Sequence, residues 1–161
     1  MTPLRPPFLA APLALLMVLS LGLMLRQAAP ARAGDHHALI YSRDGVALAG
    51  YDTVAYFTVG KAIRGRPEFA VMWRGAIWRF TSGRNLQAFE ANPWAYAPQF
   101  GGYCAYGMAR GHATGTDPLA WHIVDDRLYL IHTPDLLSIW MRAPEDFIHR
   151  ANANWPSALR R

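Results

Sequence analysis

The feature that most constrains this chain is an unbroken apolar stretch from Phe8 to Leu25, which follows a positive charge at Arg5. With the small-x-small sequence Ala31-Arg32-Ala33 behind it, this arrangement is typical of a secretory signal peptide. We therefore expect residues 1–33 to be cleaved and the mature protein to begin at Gly34, exported to the periplasm. The alternative is an uncleaved leader, because residues 8–25 are just long enough to anchor a protein in a membrane.

Removing the leader changes what the charge of the chain implies. Three of the 16 basic residues lie in the leader and all 11 acids lie outside it, so the formal net charge falls from +5 to about +2. No basic stripe remains that would indicate nucleic-acid binding. We therefore expect no nucleic-acid partner, and contact with a membrane only if the leader is retained.

Cys104 is the single cysteine of the chain, so no intramolecular disulfide can stabilise an exported domain that would often use one. Packing must supply the stability instead. Six Trp, seven Tyr and seven Phe provide the large side chains for such a core.

Hydrophobic alternation and turn residues predict two β-hairpins. The first pairs 68–73 with 76–80 around Arg74-Gly75, which places the large apolar side chains of both strands on one face. The second pairs 121–124 with 127–131 around Asp125-Asp126.

Helix signals flank these hairpins. Ser82 caps a predicted helix to about residue 91, Thr133-Pro134 opens one to about residue 142, and Pro144 opens one to about residue 154. The fold class expected is α+β, with a small antiparallel sheet of hairpins and flanking helices. We expect this domain to cover 45–156, between an exposed N-terminal segment at 34–44 and a C-terminal tail at 157–161.

Several motifs along the chain resemble those of exported YHS-domain proteins. They are Gly50-Tyr51-Asp52-Thr53-Val54-Ala55-Tyr56-Phe57, Trp78-Arg79-Phe80-Thr81-Ser82, Asn92-Pro93, Tyr96-Ala97-Pro98-Gln99-Phe100-Gly101-Gly102-Tyr103-Cys104-Ala105 and Ala151-Asn152-Ala153-Asn154-Trp155-Pro156. The resemblance implies a YHS-like fold and an association with copper or other heavy metals, and some relatives carry selenocysteine where Cys104 stands. Phe80-Thr81-Ser82 lacks the cysteines of metal-linked YHS domains, which argues against a multi-cysteine metal site.

Cys104 is the first candidate site residue. Gly101-Gly102 before it leave little side-chain cover, and a helix over 103–109 would place the thiol in its first turn, where amide dipoles favour thiolate. Such a thiolate would be a catalytic nucleophile or a soft metal ligand. Met108 and His112 follow at helical spacing, so the three could form a copper site on one helix face. The alternative is a buried Cys104 that acts as a small hydrophobe.

A second candidate metal site depends on cleavage of the leader. The new terminus would read Gly34-Asp35-His36, whose free amine, two backbone amides and imidazole can surround one Cu(II) or Ni(II) in a square plane.

The remaining histidines have simpler interpretations. In the second hairpin His122 would pair with Tyr129 and point to the face opposite His132, so these two histidines are not expected to share a metal. His149 is expected to be a solvated helix residue.

Three functions follow from these observations. The first is a module that binds or senses copper or a similar soft metal through an exposed thiol. The second is a thiol-dependent redox enzyme that uses Cys104 on a small thiol-reactive molecule. The third is an interaction domain with neither activity, and the sequence identifies no protein partner for it. Whether the protein is an enzyme is left open at this point.

Overall fold

The hairpin of strands β3 (Arg66–Trp73) and β4 (Ala76–Phe80) is the main framework of the computed structural model, which describes residues 37–160. Trp73 pairs with Ala76 across Arg74-Gly75, and both turn residues have positive φ, as a tight hairpin turn requires. Ala76, Trp78 and Phe80 point into the core from β4. The predicted hairpin and its apolar face are therefore confirmed, although β3 begins earlier than expected.

Two short strands extend this sheet and change its character. Strands β1 (Ser42–Arg43) and β2 (Val46–Ala47) pair with each other, and β2 joins β4 in parallel through Val46 and Ile77. The sheet order is β1-β2-β4-β3. The sheet is mixed, so the predicted antiparallel sheet of hairpins is confirmed for the pair β3 and β4 and corrected for β2, which joins β4 in parallel. Strands of two residues are too short for an alternation pattern to reveal.

The second hairpin forms a separate two-stranded sheet of β5 (Asp117–Val124) and β6 (Arg127–Ile131). His122 pairs with Tyr129 and Val124 with Arg127, in the register that the Asp125-Asp126 turn predicts. The expectation of one sheet is corrected to two, while the coarser α+β assignment holds for the described residues.

Helices and short 3₁₀ turns surround the sheets. The α-helices are α1 (Thr53–Thr58), α2 (Gly83–Ala91), α3 (Pro93–Tyr96), α4 (Ala105–Ala109), α5 (Pro134–Trp140) and α6 (Pro144–Asn154). Ser82 and Thr133 cap α2 and α5 through their side chains, as predicted. Helix α5 ends at Trp140, just short of the expected residue 142. None of the helices within 37–160 has the length and apolarity of a membrane span.

Both ends of the described chain are packed against the domain. Ile40 and Leu159 are buried, and the His37 amide donates to the Leu159 carbonyl at 3.0 Å. Within the predicted exposed segment at 34–44, residues 37–39, 43 and 44 are exposed as expected, whereas Ile40 is buried and residues 41 and 42 are half-buried. In the predicted tail, Ala158 and Leu159 are buried in a 3₁₀ turn at Ser157–Arg160. Residues at both ends contribute apolar side chains to the hydrophobic cores, which therefore include residues outside the predicted domain at 45–156. The predicted leader, residues 34–36 and Arg161 lie outside the described residues.

Candidate functional site

Cys104 lies in the core and not on the surface. Its side chain is 1% exposed and packs in a cluster that includes Met108 and Trp140. Helix α4 begins at Ala105, two residues later than predicted, so Cys104 is its N-cap, and Sγ accepts a hydrogen bond from the Gly107 amide at 3.4 Å. The expectation of an exposed thiol is therefore wrong. Gly101-Gly102 add no side chains over the sulfur, but the apolar cluster of the core covers it.

The predicted helix face with Met108 and His112 does not form either. Helix α4 ends at Ala109, and the chain turns at Gly111, which has a φ of 80°. Met108 is fully buried beside Cys104, whereas His112 is exposed beyond the end of the helix. The two glycines at 107 and 111 limit the helix to one short segment, which separates the histidine from the two sulfur atoms.

The other candidate ligands also stay apart. Between residues 37 and 160, no three His, Cys, Asp or Glu side chains are grouped closely enough to hold a metal ion. The register of β5 and β6 confirms the pairing used to separate His122 from His132, and His132 Nδ1 instead contacts the Gly115 carbonyl at 2.8 Å. His149 is exposed on α6, as expected. The site predicted at Gly34, Asp35 and His36 lies outside the described residues and stays a prediction.

The loop before Cys104 has an unusual backbone. Phe100, Gly101 and Gly102 have φ values of 54°, 61° and 84°, three consecutive residues in the left-handed region. For a phenylalanine this conformation is unfavourable, and such strained backbone is concentrated at functional sites in proteins. A second run of three such residues occurs at Leu48, Ala49 and Gly50, so the backbone alone does not single out this loop.

The N-terminal segment holds this loop in place. The Tyr41 amide donates to the Gly101 carbonyl at 2.8 Å, and the Tyr103 hydroxyl donates to the Ala38 carbonyl at 2.8 Å. Burial raises the pKa of Tyr103, so its hydroxyl stays a donor. A side chain at Gly101 would meet the Leu39 carbonyl oxygen, so glycine is required both by φ and by space.

A cleft of about 270 Å³ opens beside the strained loop. It lies among segments that are far apart in sequence: the N-terminal segment, the turn between β3 and β4, helix α3, the loop itself and the residues after α6. The lining consists of Leu39, Ile40, Trp73, Arg74, Trp94, Ala97, Pro98, Gln99, Phe100, Gly101, Trp155 and Pro156.

Aromatic side chains dominate the mouth of the cleft. Trp94 is 67% exposed, which is unusual for so large an apolar side chain, and its ring stands edge-to-face against Trp73 at a centroid distance of 5.1 Å. The Arg74 guanidinium lies 4.9 Å from the centre of the Trp94 ring and 5.7 Å from that of Trp73. The arrangement presents indole surface and one cation to solvent, which suits recognition of a planar ligand.

A second feature of the domain is the buried carboxylate of Asp52, which joins three elements. Asp52 is fully buried and caps α1 by accepting from the Val54 and Ala55 amides, while its second oxygen binds Thr81 and Asn85. It therefore ties α1 to the end of β4 and the start of α2, the helix that leads into Trp94. In the sequence, Asp52 stands out only as part of the motif at residues 50–57. Its hydrogen-bond partners Thr81 and Asn85 lie too far along the chain for residue spacing to predict the network.

Comparisons of the chain with protein-family models, with curated proteins and with solved structures found no match.

Proposed function

We propose that the protein is a binding module whose ligand enters the aromatic cleft beside residues 98–102. The observation that carries the proposal is Trp94, which leaves most of its indole in solvent at the mouth of a formed cavity. A protein that exposes so much aromatic surface without use would lose part of the hydrophobic stabilisation that burial provides. Phe100 and Gly101, whose backbones have positive φ, also line the cleft.

The lining of the cleft favours binding over catalysis. The part of the chain that the structure describes contributes Arg74 and Gln99 as polar side chains of the lining, and it places neither a nucleophilic side chain nor a general base there. Indole faces and an arginine can orient a ligand, but they cannot transfer a proton at neutral pH. The third function expected from the sequence, an interaction domain, is the nearest to this proposal, but that expectation gave the aromatic residues a structural role only. In this proposal its aromatic residues recognise a ligand as well as filling the core.

The soft-metal and thiol-redox functions need access to Cys104, and its burial weighs against both. Copper binding at the predicted terminus of Gly34, Asp35 and His36 is a separate proposal that does not need the thiol. Membership of the exported YHS-domain family is likewise a proposal. In this interpretation, the family motif that includes residues 98–103 would form part of the wall of the cleft.

The test uses the six tryptophans as internal reporters. Trp73, Trp94 and Trp155 line the cleft, and Trp78, Trp121 and Trp140 lie outside its lining. We expect the neutral probe 2-naphthamide to shift the indole N–H signals of the first group in ¹H–¹⁵N NMR spectra of the mature protein, in a saturable way. Within the second group, Trp121 and Trp140 should stay unchanged, whereas Trp78 should shift weakly because its indole N–H donates to the Trp73 carbonyl.

A matched pair of variants completes this test. Trp94→Ala should abolish the saturable shifts, whereas Met72→Ala should keep them, because Met72 is 64% exposed but does not line the cleft. Shifts spread evenly over all six indoles, or equal effects of both variants, would overturn the proposal.

A further inference from the structure

We infer that the ligand of the aromatic cleft is a planar apolar molecule that carries one carboxylate, and that Arg74 binds this carboxylate. The inference rests on the proposed function and adds the chemical class of the ligand. It is carried by three properties of the cleft: the orientation of one guanidinium, the charge of the lining and the size of the cavity.

The first property is a guanidinium held in place before any ligand arrives. Arg74 occupies the hairpin turn with a φ of 50°, and its guanidinium lies over the rings of Trp94 and Trp73. Where a guanidinium stacks on indole, its N–H edge stays available to a ligand. That edge matches the two oxygens of a carboxylate, and a fixed donor loses less entropy on binding than a free side chain.

The second property is an unbalanced charge. Among residues 37–160, Arg74 is the one charged side chain in the lining, and none of them places an acid there to neutralise it. The ion pair found within residues 37–160 joins Arg66 and Glu68 instead. A single unpaired cation beside apolar walls is complementary to a single negative charge. A phosphate dianion would bring a second charge without a second cation to bind it, so a carboxylate is favoured.

The third property is the size of the cavity. A volume of about 270 Å³ lies at the lower end of the roughly 300–1,000 Å³ of small-molecule sites. One or two fused rings between Trp94 and Trp155 suit this space better than an extended chain. The Gln99 amide in the lining offers a further hydrogen bond to a polar substituent.

The experiment compares two probes that differ in charge and share their ring system. 2-Naphthoate and 2-naphthamide are titrated into the mature protein, and their dissociation constants are read from the indole N–H shifts. We expect naphthoate to bind at least about tenfold more tightly, with an advantage that shrinks as salt is added. A third arm with 2-naphthyl phosphate should bind less tightly than naphthoate.

The matched variants are Arg74→Gln and Arg84→Gln, which remove one exposed arginine each, the second outside the cleft on α2. Arg74→Gln should bring the ratio of the two constants close to one, with most of the change in the naphthoate constant. Arg84→Gln should keep the wild-type ratio. A change in naphthamide binding would show that the first variant disturbs the cleft, and Arg74→Lys, which keeps the charge, would then have to retain the naphthoate preference.

The outcomes separate the inference from the proposed function. Equal affinities for both naphthalene probes in the wild-type protein, or an equal loss of naphthoate preference in both glutamine variants, would overturn the carboxylate assignment and leave the cleft as a binding site. Tighter binding of the naphthyl phosphate would overturn it in favour of phosphate. Failure of all three probes to shift the cleft indoles would overturn the proposed function itself.

Discussion

Replacing Asp52 with alanine should be among the most destabilising changes in this protein. Its carboxylate is fully buried and accepts five hydrogen bonds. One oxygen binds the Val54 and Ala55 amides at 2.9 and 3.3 Å, at the start of α1. The other binds the Thr81 amide and hydroxyl and the Asn85 amide group at 2.7–2.8 Å.

The magnitude follows from the donors that the substitution leaves behind. Loss of a helix N-cap costs about 0.5–2 kcal/mol. A buried donor without a partner costs about 1–3 kcal/mol, and the Thr81 amide would become such a donor. Asn85 keeps a bond to the Thr81 hydroxyl at 3.1 Å, which limits its share of the loss. We therefore expect Asp52→Ala to lower the free energy of unfolding by about 2–5 kcal/mol, a large part of the stability of a small domain.

Asparagine tests the charge pattern of the same network. An asparagine side chain can satisfy the amides of α1 or the donors from Thr81 and Asn85, but its NH₂ group must face the other set. We expect Asp52→Asn to cost about 2 kcal/mol, less than alanine. Asp135→Ala, which removes an exposed acid from the first turn of α5, should cost less than about 1 kcal/mol.

The assay is urea unfolding of the mature protein at pH 7, followed by tryptophan fluorescence, with the slope of the transition checked for each variant. A loss below about 1 kcal/mol for Asp52→Ala, or equal losses for Asp52→Ala and Asp135→Ala, would refute the network. Either result would mean that the carboxylate does not join α1, β4 and α2 in solution.

Three further predictions follow from other residues. Cys104 should resist iodoacetamide in the native protein and react fully in guanidinium chloride, because its side chain is buried; rapid native modification would restore the exposed-thiol hypothesis. Burial raises the pKa of Tyr56, so the contribution of this residue to stability should be constant below about pH 10. Above that pH, stability should fall because the Tyr56 hydroxyl ionises in the unfolded chain but not in the folded one. Urea midpoints measured from about pH 8 to 11.5 should show this fall, and Tyr56→Phe should reduce it. Mass spectrometry should find a mature terminus at Gly34, and a Cu(II) titration should give the visible band of a square-planar complex that His36→Ala removes; a band that survives this change would contradict the site.

The sequence predicts the hairpins well because their signals are local. Arg74-Gly75 and Asp125-Asp126 supply positive φ at the two turns, and alternating apolar residues fix the register on either side. The caps at Ser82 and Thr133 are local in the same sense. Strands β1 and β2 escape prediction because they are two residues long and are stabilised by pairing with each other and with β4, which lies about 30 residues away.

The exposure of Cys104 is not a local property. Two glycines before a cysteine add no side chains that would cover the thiol. They give no information about which residues from other parts of the chain pack over it. Met108 covers it from within α4, and Trp140 of the same core cluster comes from α5. The Gly101-Gly102 pattern therefore predicts the unusual backbone of the loop correctly, but it predicts the exposure of the Cys104 sulfur wrongly.

The glycines have a physical role that does not depend on the thiol. Gly101 faces the Leu39 carbonyl, and its left-handed φ turns the loop so that the Tyr41 amide can bind its oxygen. This contact sets Leu39 against Gly101 and Phe100, where all three line the cleft. Because Trp94 completes the cleft from a distant helix, no spacing in the sequence could predict it. The same glycines that indicated a reactive cysteine are thus explained by the close approach of two backbones, and that approach shapes one wall of the proposed binding site.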